Sequence, residues 1–326
     1  MSLDVLCLRP EADFTRIGVE PPRSLAIAYR APGDADVAGL LAQARALVIP
    51  AVGPKLDAAL FADTRLRLVQ VTGAGVDRLD RESLVHQDIP VCNVPGGSNG
   101  ALAEYVVTCA SVLLRRLMWS SNEIRRGNYV SFRARMVADN LAGIDGLMVG
   151  LVGLGTIGLA VADAFAKVGA RLAYHDPSPR DAEAARGLGA RAMSFDDLLG
   201  AADVVSLHVP LLPQTTNLIG AAELARMKKG AILIQAARGG IVDEEALAAA
   251  LASGHLGGAA VDVYSKEPPE PTHALLALTG EAVDRLILTP HIAGVTRQAS
   301  ATLFQRAWDN VERVLIQGMP PDCRVF

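Results

Sequence analysis

Leu147-Met148-Val149-Gly150-Leu151-Val152-Gly153-Leu154-Gly155-Thr156-Ile157-Gly158 runs from an uncharged apolar stretch, through glycines in G-x-G-x-x-G spacing, into alanine-rich sequence. The residues up to Val152 read as a buried strand and those after Gly155 as the start of a helix. Glycine at 153, 155 and 158 permits the tight turn, lets backbone amides approach a pyrophosphate and allows close helix packing. The helix N-terminus then favours phosphate charge. Eighteen residues after Gly158, Asp176 closes the next β-like run, Arg171 to His175. A carboxylate there accepts a ribose 2′-hydroxyl and repels a 2′-phosphate, which implies NAD rather than NADP. Arg180, beyond two prolines, is a weak partner for such a phosphate. The order of strand, glycine turn, helix and acid outweighs the plainer reading of a simple strand–helix turn.

The same region answers a membrane question. Gly146 to Ala162 holds 17 uncharged residues, just short of a spanning helix, but five are glycine and the flanks are Asp145 and Asp163. The segment therefore belongs to a folded sheet. Further β-like runs are Val204–Val209, Ala231–Ala236, Gly258–Val263 and Leu286–Thr289, most of them separated by helical sequence. With Leu147–Val152 and Arg171–His175 they make six strands in the style of a doubly wound parallel sheet. Before them, Val5–Leu8, Ser24–Ala28, Ala46–Ile49, Leu66–Val71 and Pro90–Asn93 suffice for one small α/β domain. Asn93 to Gly100 is the densest turn cluster and reads as a hinge, with one long helix expected from Ala101 to about Ser120. Gln298 to Ile316 reads as an amphipathic helix that returns to the first domain.

At 326 residues the chain is too long for one ordinary core. Its 51% hydrophobic and 20% charged content is that of a folded protein. A formal charge of −4 and the lack of any Lys/Arg cluster exclude a basic nucleic-acid surface. Of 31 basic residues 26 are arginine, a bias read as genomic composition. Cys7, Cys92, Cys109 and Cys323 form no CxxC pair and have no histidine at metal-ligand spacing, so reduced thiols and no metal are expected. Met1-Ser2-Leu3-Asp4 shows no basic n-region before an apolar stretch, and the expectation is a cytoplasmic chain.

Three polar residues follow successive later strands: Arg238, Glu267 and His291. In an open parallel sheet ligands bind beyond the carboxyl ends of strands, so these three converge near the reacting end of a dinucleotide. An arginine grips a carboxylate in a bidentate fork. A histidine carries a proton near neutral pH, and a glutamate beside it orients it and favours its charged form. Singly each has an even chance of being ornament; at three successive strand ends that explanation is poor. The remaining histidines read as structural or solvated: His86 and His273 in loops, His175 pointing away from Asp176, His208 at a strand end and His255 in a connection.

These residues resemble one family. Gly153 to Gly158, His208-Val209-Pro210-Leu211, Ala236 to Asp243, Asp262-Val263, Glu267-Pro268 and Pro290-His291-Ile292-Ala293-Gly294 are similar to the motifs of D-isomer-specific 2-hydroxyacid dehydrogenases. Gly73-Ala74-Gly75-Val76-Asp77 and Asn93-Val94-Pro95-Gly96 extend the resemblance to nearly the whole chain. It implies a Rossmann-type domain, residues 100–291, inserted in a smaller flavodoxin-like α/β substrate domain, residues 1–99 plus 292–326. It implies that Arg238 binds the substrate carboxylate and carbonyl, His291 is the acid/base and Glu267 its partner. The amides of Ala74 and Gly75 hold the carboxylate, and Thr156, Ile157, Asp176, Val209, Pro210, Ala236, Ala237 and Asp262 contact NAD.

Gln235 stands where Asn is usual, with little consequence expected, and the stretch from Glu267 to His291 is longer than usual. No arginine lies around Ile49-Pro50-Ala51-Val52 of the kind that phosphoglycerate-oxidising members use, and no added C-terminal regulatory domain is expected. Small 2-oxo acids such as glyoxylate or hydroxypyruvate are therefore expected as substrates, in a homodimer. Two other readings stay open: phosphite oxidation on the same fold, and an NAD-sensing corepressor that binds peptides. Glu267 speaks against formate oxidation, where the histidine's partner is Gln.

Overall fold

A computed structural model describes residues 3–179 and 181–326. The chain divides into two compact units, one running up to Ser98 and resuming at Val295–Phe326, the other Asn99–Gly294. The second is thus inserted, in chain order, within the first.

The smaller unit holds β1 (Val5–Cys7), β2 (Ile27–Tyr29), β3 (Ala46–Ile49), β4 (Leu68–Val71) and β5 (Val91–Cys92), in the order β2-β1-β3-β4-β5 with every neighbouring pair parallel. That is the flavodoxin-like order. β1, β3, β4 and β5 are buried throughout, which matches their apolar runs. One face carries Leu6, Leu47, Val69 and Phe61; the other carries Val5, Val48, Leu68, Phe304 and Trp308. Phe304 and Trp308 belong to the C-terminal helix Arg297–Leu315, and both set their rings edge-on to Phe14. The amphipathic tail therefore closes this unit's core, and Thr296 caps its start by accepting the Ala299 amide.

The larger unit holds β6 (Met148–Val152), β7 (Arg171–His175), β8 (Arg191–Ala192), β9 (Val204–Leu207), β10 (Ile232–Gln235), β11 (Gly258–Val261) and β12 (Leu286–Leu288). All are parallel, ordered β12-β11-β10-β9-β6-β7-β8. This is the doubly wound Rossmann order with one further edge strand. β8 escapes a reading of the sequence because it is two exposed residues with no apolar signal. Both faces are covered, one by the cluster around Leu198, Leu207, Leu247 and Leu251, the other by that around Val106, Leu151, Phe165 and Ile234.

One expectation is corrected here. The single helix expected from Ala101 to Ser120 is two, Asn99–Leu114 and Leu117–Arg125, broken at Arg116 with φ +50°. Arg116 there pairs with Asp139 and lies over the Trp119 ring. The larger unit runs on to Gly294, and within it Asp262 accepts the amides of Ile292 and Ala293.

Candidate active site

The order of the larger sheet reverses between β6 and β9, and the glycine loop leaves the carboxyl end of β6 at that point. Gly153 has φ +95°, and a Cβ there would stand 2.7 Å from the His208 carbonyl oxygen. A Cβ on Gly158 would stand 2.3 Å from the Gly153 carbonyl oxygen, so only glycine lets turn and helix meet. A Cβ on Gly155 would meet nothing within 4 Å. Gly155 also starts the helix Thr156–Lys167, which no side chain caps there. Open space beside an uncapped helix start fits a pyrophosphate.

Asp176 follows β7, its carboxylate accepting the amides of Leu154 at 2.6 Å and Ser178 at 2.8 Å. The acid is thus tied to the glycine loop, where a ribose would meet it. Arg180 lies outside the described residues. Val209 follows β9 and packs toward Gly153; the Pro210 carbonyl accepts the Thr215 hydroxyl at 2.6 Å. Burial of the His208 ring pushes its pKa down to about 4, and its Nε2 contacts Ser206 Oγ at 2.9 Å. A ring held neutral in this way is no proton carrier at neutral pH.

β10, β11 and β12 are neighbours, and Arg238, Glu267 and His291 follow their respective ends. Ala236 and Ala237 form the turn after β10. Gln235, buried, donates its Nε2 to the Arg238 carbonyl at 2.8 Å and accepts the Ala237 amide at 3.2 Å. The Gln235 side-chain amide thus bridges the turn that presents Arg238. Arg238 Nη1 donates to the Ala237 carbonyl at 2.7 Å, one of its contacts.

His291 Nδ1 lies 2.9 Å from Glu267 Oε2 and 3.1 Å from Oε1, across 24 residues of sequence. A carboxylate only accepts, so Nδ1 carries the hydrogen and Nε2 is left to exchange a proton. Glu267 Oε1 also accepts the Tyr264 amide at 3.1 Å. His291 itself has φ +55°, unusual for a non-glycine residue and costly unless its surroundings hold it.

Asp262 supplies that hold. It is 1% exposed; Oδ1 accepts the Thr289 hydroxyl at 2.6 Å and the Ile292 amide at 2.8 Å, while Oδ2 accepts the Ala293 amide at 2.8 Å. Its own carbonyl accepts the His291 amide at 2.8 Å. Asp262, expected only as a contact for NAD, is therefore also the residue that braces the backbone around His291.

His273, expected to be solvated, is mostly buried, its Nε2 at 2.9 Å from Glu244 Oε2 and its ring edge-on to Tyr264. Glu244 also accepts the Ser265 amide and hydroxyl, at 2.8 and 2.6 Å, pinning the loop that carries Glu267. No short-range pattern announces this clamp, because its members lie 21 and 29 residues apart.

In the smaller unit Ala74 and Gly75 follow β4. Asn93 Nδ2 donates to the Ala74 carbonyl at 2.7 Å and the Val94 amide to the Gly73 carbonyl at 2.8 Å. Arg78 is buried, donating to the carbonyls of Pro54 and Pro50, each at 2.8 Å. The stretch at Ile49–Val52, without an arginine of its own, therefore receives one from the next strand's loop. Among the described residues no group of three or more His, Cys, Asp or Glu side chains is placed to hold a metal, and no helix is long and apolar enough to cross a membrane.

The family profile described as "D-isomer specific 2-hydroxyacid dehydrogenase, NAD binding domain" matches residues 107–293. The chain is 39% identical over 250 residues to the (S)-sulfolactate dehydrogenase of Chromohalobacter salexigens, covering 77% of this chain and 78% of that one. It is 35% identical to the glyoxylate reductase of Aeropyrum pernix, covering 79% and 76%. The crystal structure of the TT0316 protein from Thermus thermophilus superposes with a TM-score of 0.83 at 31% identity, covering 99% and 100%. The chain belongs to the D-isomer-specific 2-hydroxyacid dehydrogenase family. It is an NAD-dependent oxidoreductase of small 2-hydroxy and 2-oxo acids.

Proposed function

We propose that this enzyme interconverts a small 2-oxo acid and its D-2-hydroxy acid with His291 as acid/base, Glu267 as its orienting partner and Arg238 as the carboxylate and carbonyl ligand. The observation that carries the reading is the His291–Glu267 pair, bonded at 2.9 Å beyond β11 and β12, with Arg238 beyond the adjacent β10. The bound cofactor supplies or accepts the hydride. The chain's part is to hold it, through Gly153, Gly155, Thr156, Ile157, Gly158, Asp176, Val209, Pro210, Ala236, Ala237 and Asp262, and to manage charge and proton. The larger unit is the cofactor domain and the smaller the substrate domain, with the amides of Ala74 and Gly75 on the substrate carboxylate.

Glyoxylate and hydroxypyruvate are the substrates of choice, in keeping with the glyoxylate reductase relative. NADH fluorescence decay against a panel of 2-oxo acids tests this. Turnover of none, with peptide binding that responds to NADH, would favour the corepressor reading; turnover of phosphite alone would favour the other alternative.

Asp176→Ala is expected to weaken NADH and lift the repulsion of a 2′-phosphate, raising the NADPH/NADH ratio of kcat/KM by roughly tenfold or more, one charge contact's worth. Wild-type kinetics with NADPH equal to or better than NADH would refute the NAD assignment.

The enzyme works as a homodimer. Tyr105, Val106, Cys109 and Leu113 pack into the larger unit's own core. The exposed apolar side chains come later: Leu117, Met118, Ile124, Tyr129, Val130 at 79% and Val137 at 66% exposure. Arg135 of the same segment forks onto Glu281 at 2.7 and 3.1 Å and Asn122 bonds Asp284 at 2.7 Å. Exposed apolar side chains concentrated in one segment suit a second copy. Light scattering at micromolar concentration should give twice 34.2 kDa, and Val130→Asp should lower it; a monomer mass for the wild type sinks the dimer. Buried, unpaired Cys7, Cys92 and Cys109 suit the reducing cytoplasm, where the reading places the enzyme.

A further inference from the structure

The hydroxyl of Tyr105, on the helix Asn99–Leu114, lies 2.7 Å from Thr289 Oγ1. Distance alone leaves the direction of that bond open, but the network settles it. The Asp262 carboxylate accepts from two backbone amides and from the Thr289 hydroxyl at 2.6 Å. Thr289 has one hydroxyl proton and it is committed to Asp262, so Oγ1 must accept from Tyr105. The order is therefore Tyr105 O–H to Thr289 O–H to Asp262, whose carboxylate then receives the amides of Ile292 and Ala293. Burial raises the Tyr105 pKa above its ordinary value, which keeps the phenol a donor throughout the working pH range.

We propose that Tyr105 and Thr289 are positioning residues for the acid/base: their relay fixes the Asp262 carboxylate, and through it the backbone that holds His291 at φ +55° with Nδ1 on Glu267. Neither touches the histidine ring. The device is needed because the His291 conformation is strained, and a strained residue keeps its geometry only where its neighbours over-determine it. Asp262 reaches the residues on both sides, accepting Thr289 before His291 and Ile292 and Ala293 after it. Losing the phenol takes away the donor that Thr289 Oγ1 accepts from, so the Thr289 side chain is held from the Asp262 side alone and the loop loosens. Small displacements of a proton donor are costly, up to about a hundredfold for roughly 1 Å.

The inference rests on the acid/base reading of His291, and the test separates the two. Tyr105→Phe removes one oxygen and keeps the ring. It should lower kcat in both directions by about ten- to a hundredfold while NADH affinity and substrate KM change by less than about threefold. Thr289→Val should do the same, whereas Thr289→Ser, which retains the hydroxyl, should stay within about threefold of wild type. In a double-mutant cycle Tyr105→Phe should add little once Thr289→Val is present, because both break one chain. A kcat for Tyr105→Phe within about twofold of wild type, additive effects in the cycle, or a loss confined to KM would each overturn the relay. If Tyr105→Phe fails to fold, the contrast between Thr289→Ser and Thr289→Val decides the question. His291→Ala is measured alongside: if it keeps its rate, the acid/base reading itself fails; if it loses it while Tyr105→Phe does not, only the relay fails.

Discussion

His291→Ala should remove most turnover at every pH, by about 10²–10⁴-fold, while NADH binding stays within a few-fold of wild type. When a 2-oxo acid is reduced, the carbonyl oxygen must gain a proton as the carbon gains hydride. Glu267 occupies Nδ1 at 2.9 Å, so the proton has to come from Nε2, and alanine has none to give. The ring must start as imidazolium for reduction and as neutral imidazole for oxidation. Reduction should therefore be favoured toward acid pH and oxidation toward alkaline pH. Steady-state rates in both directions across pH, with NADH affinity from fluorescence, measure this. A rate within a few-fold of wild type would refute the assignment of His291 as acid/base.

Arg238→Ala should cost roughly 10²–10⁴-fold in kcat/KM, divided between kcat and KM. On the proposed mechanism one guanidinium serves the substrate carboxylate and the carbonyl that develops charge, and each hydrogen bond from a charged donor is worth about 1.5–3 kcal/mol. The carboxylate contact is equal in ground and transition states and appears in KM; the carbonyl contact strengthens during reaction and appears in kcat. Arg238→Lys should recover only part, because an ammonium lacks the planar fork. Gln235→Ala should show a weaker version of the same pattern, since Gln235 braces the turn through the Arg238 carbonyl at 2.8 Å. A rise in KM alone, with kcat intact, would remove the carbonyl role from Arg238.

The glycine loop and the strand ends were legible in the sequence because their physics is local. Gly153, Gly155 and Gly158 stand where a turn and a helix start require them, and buried parallel strands are continuous apolar runs. The break at Arg116 was not legible: arginine is a good helix former, and what bends the chain there is Asp139, 23 residues on, with the Trp119 ring. Nor was Gln235 legible as a brace, because its partners are backbone atoms of the turn after β10, and no residue pattern specifies where those atoms point.

What the amino-acid order determined by itself was the alternation of strand and helix, the dinucleotide turn with its acid at 176, and the placing of Arg238, Glu267 and His291 after successive strands. Tertiary structure alone decided the supporting contacts around them. Glu244 reaches His273 across 29 residues, and Tyr105 reaches Thr289 across 184. Periodicity reports which face of an element is apolar. It carries no information about which distant side chain that face will bring within hydrogen-bonding distance, because strand order and helix packing set that separation and sequence spacing does not.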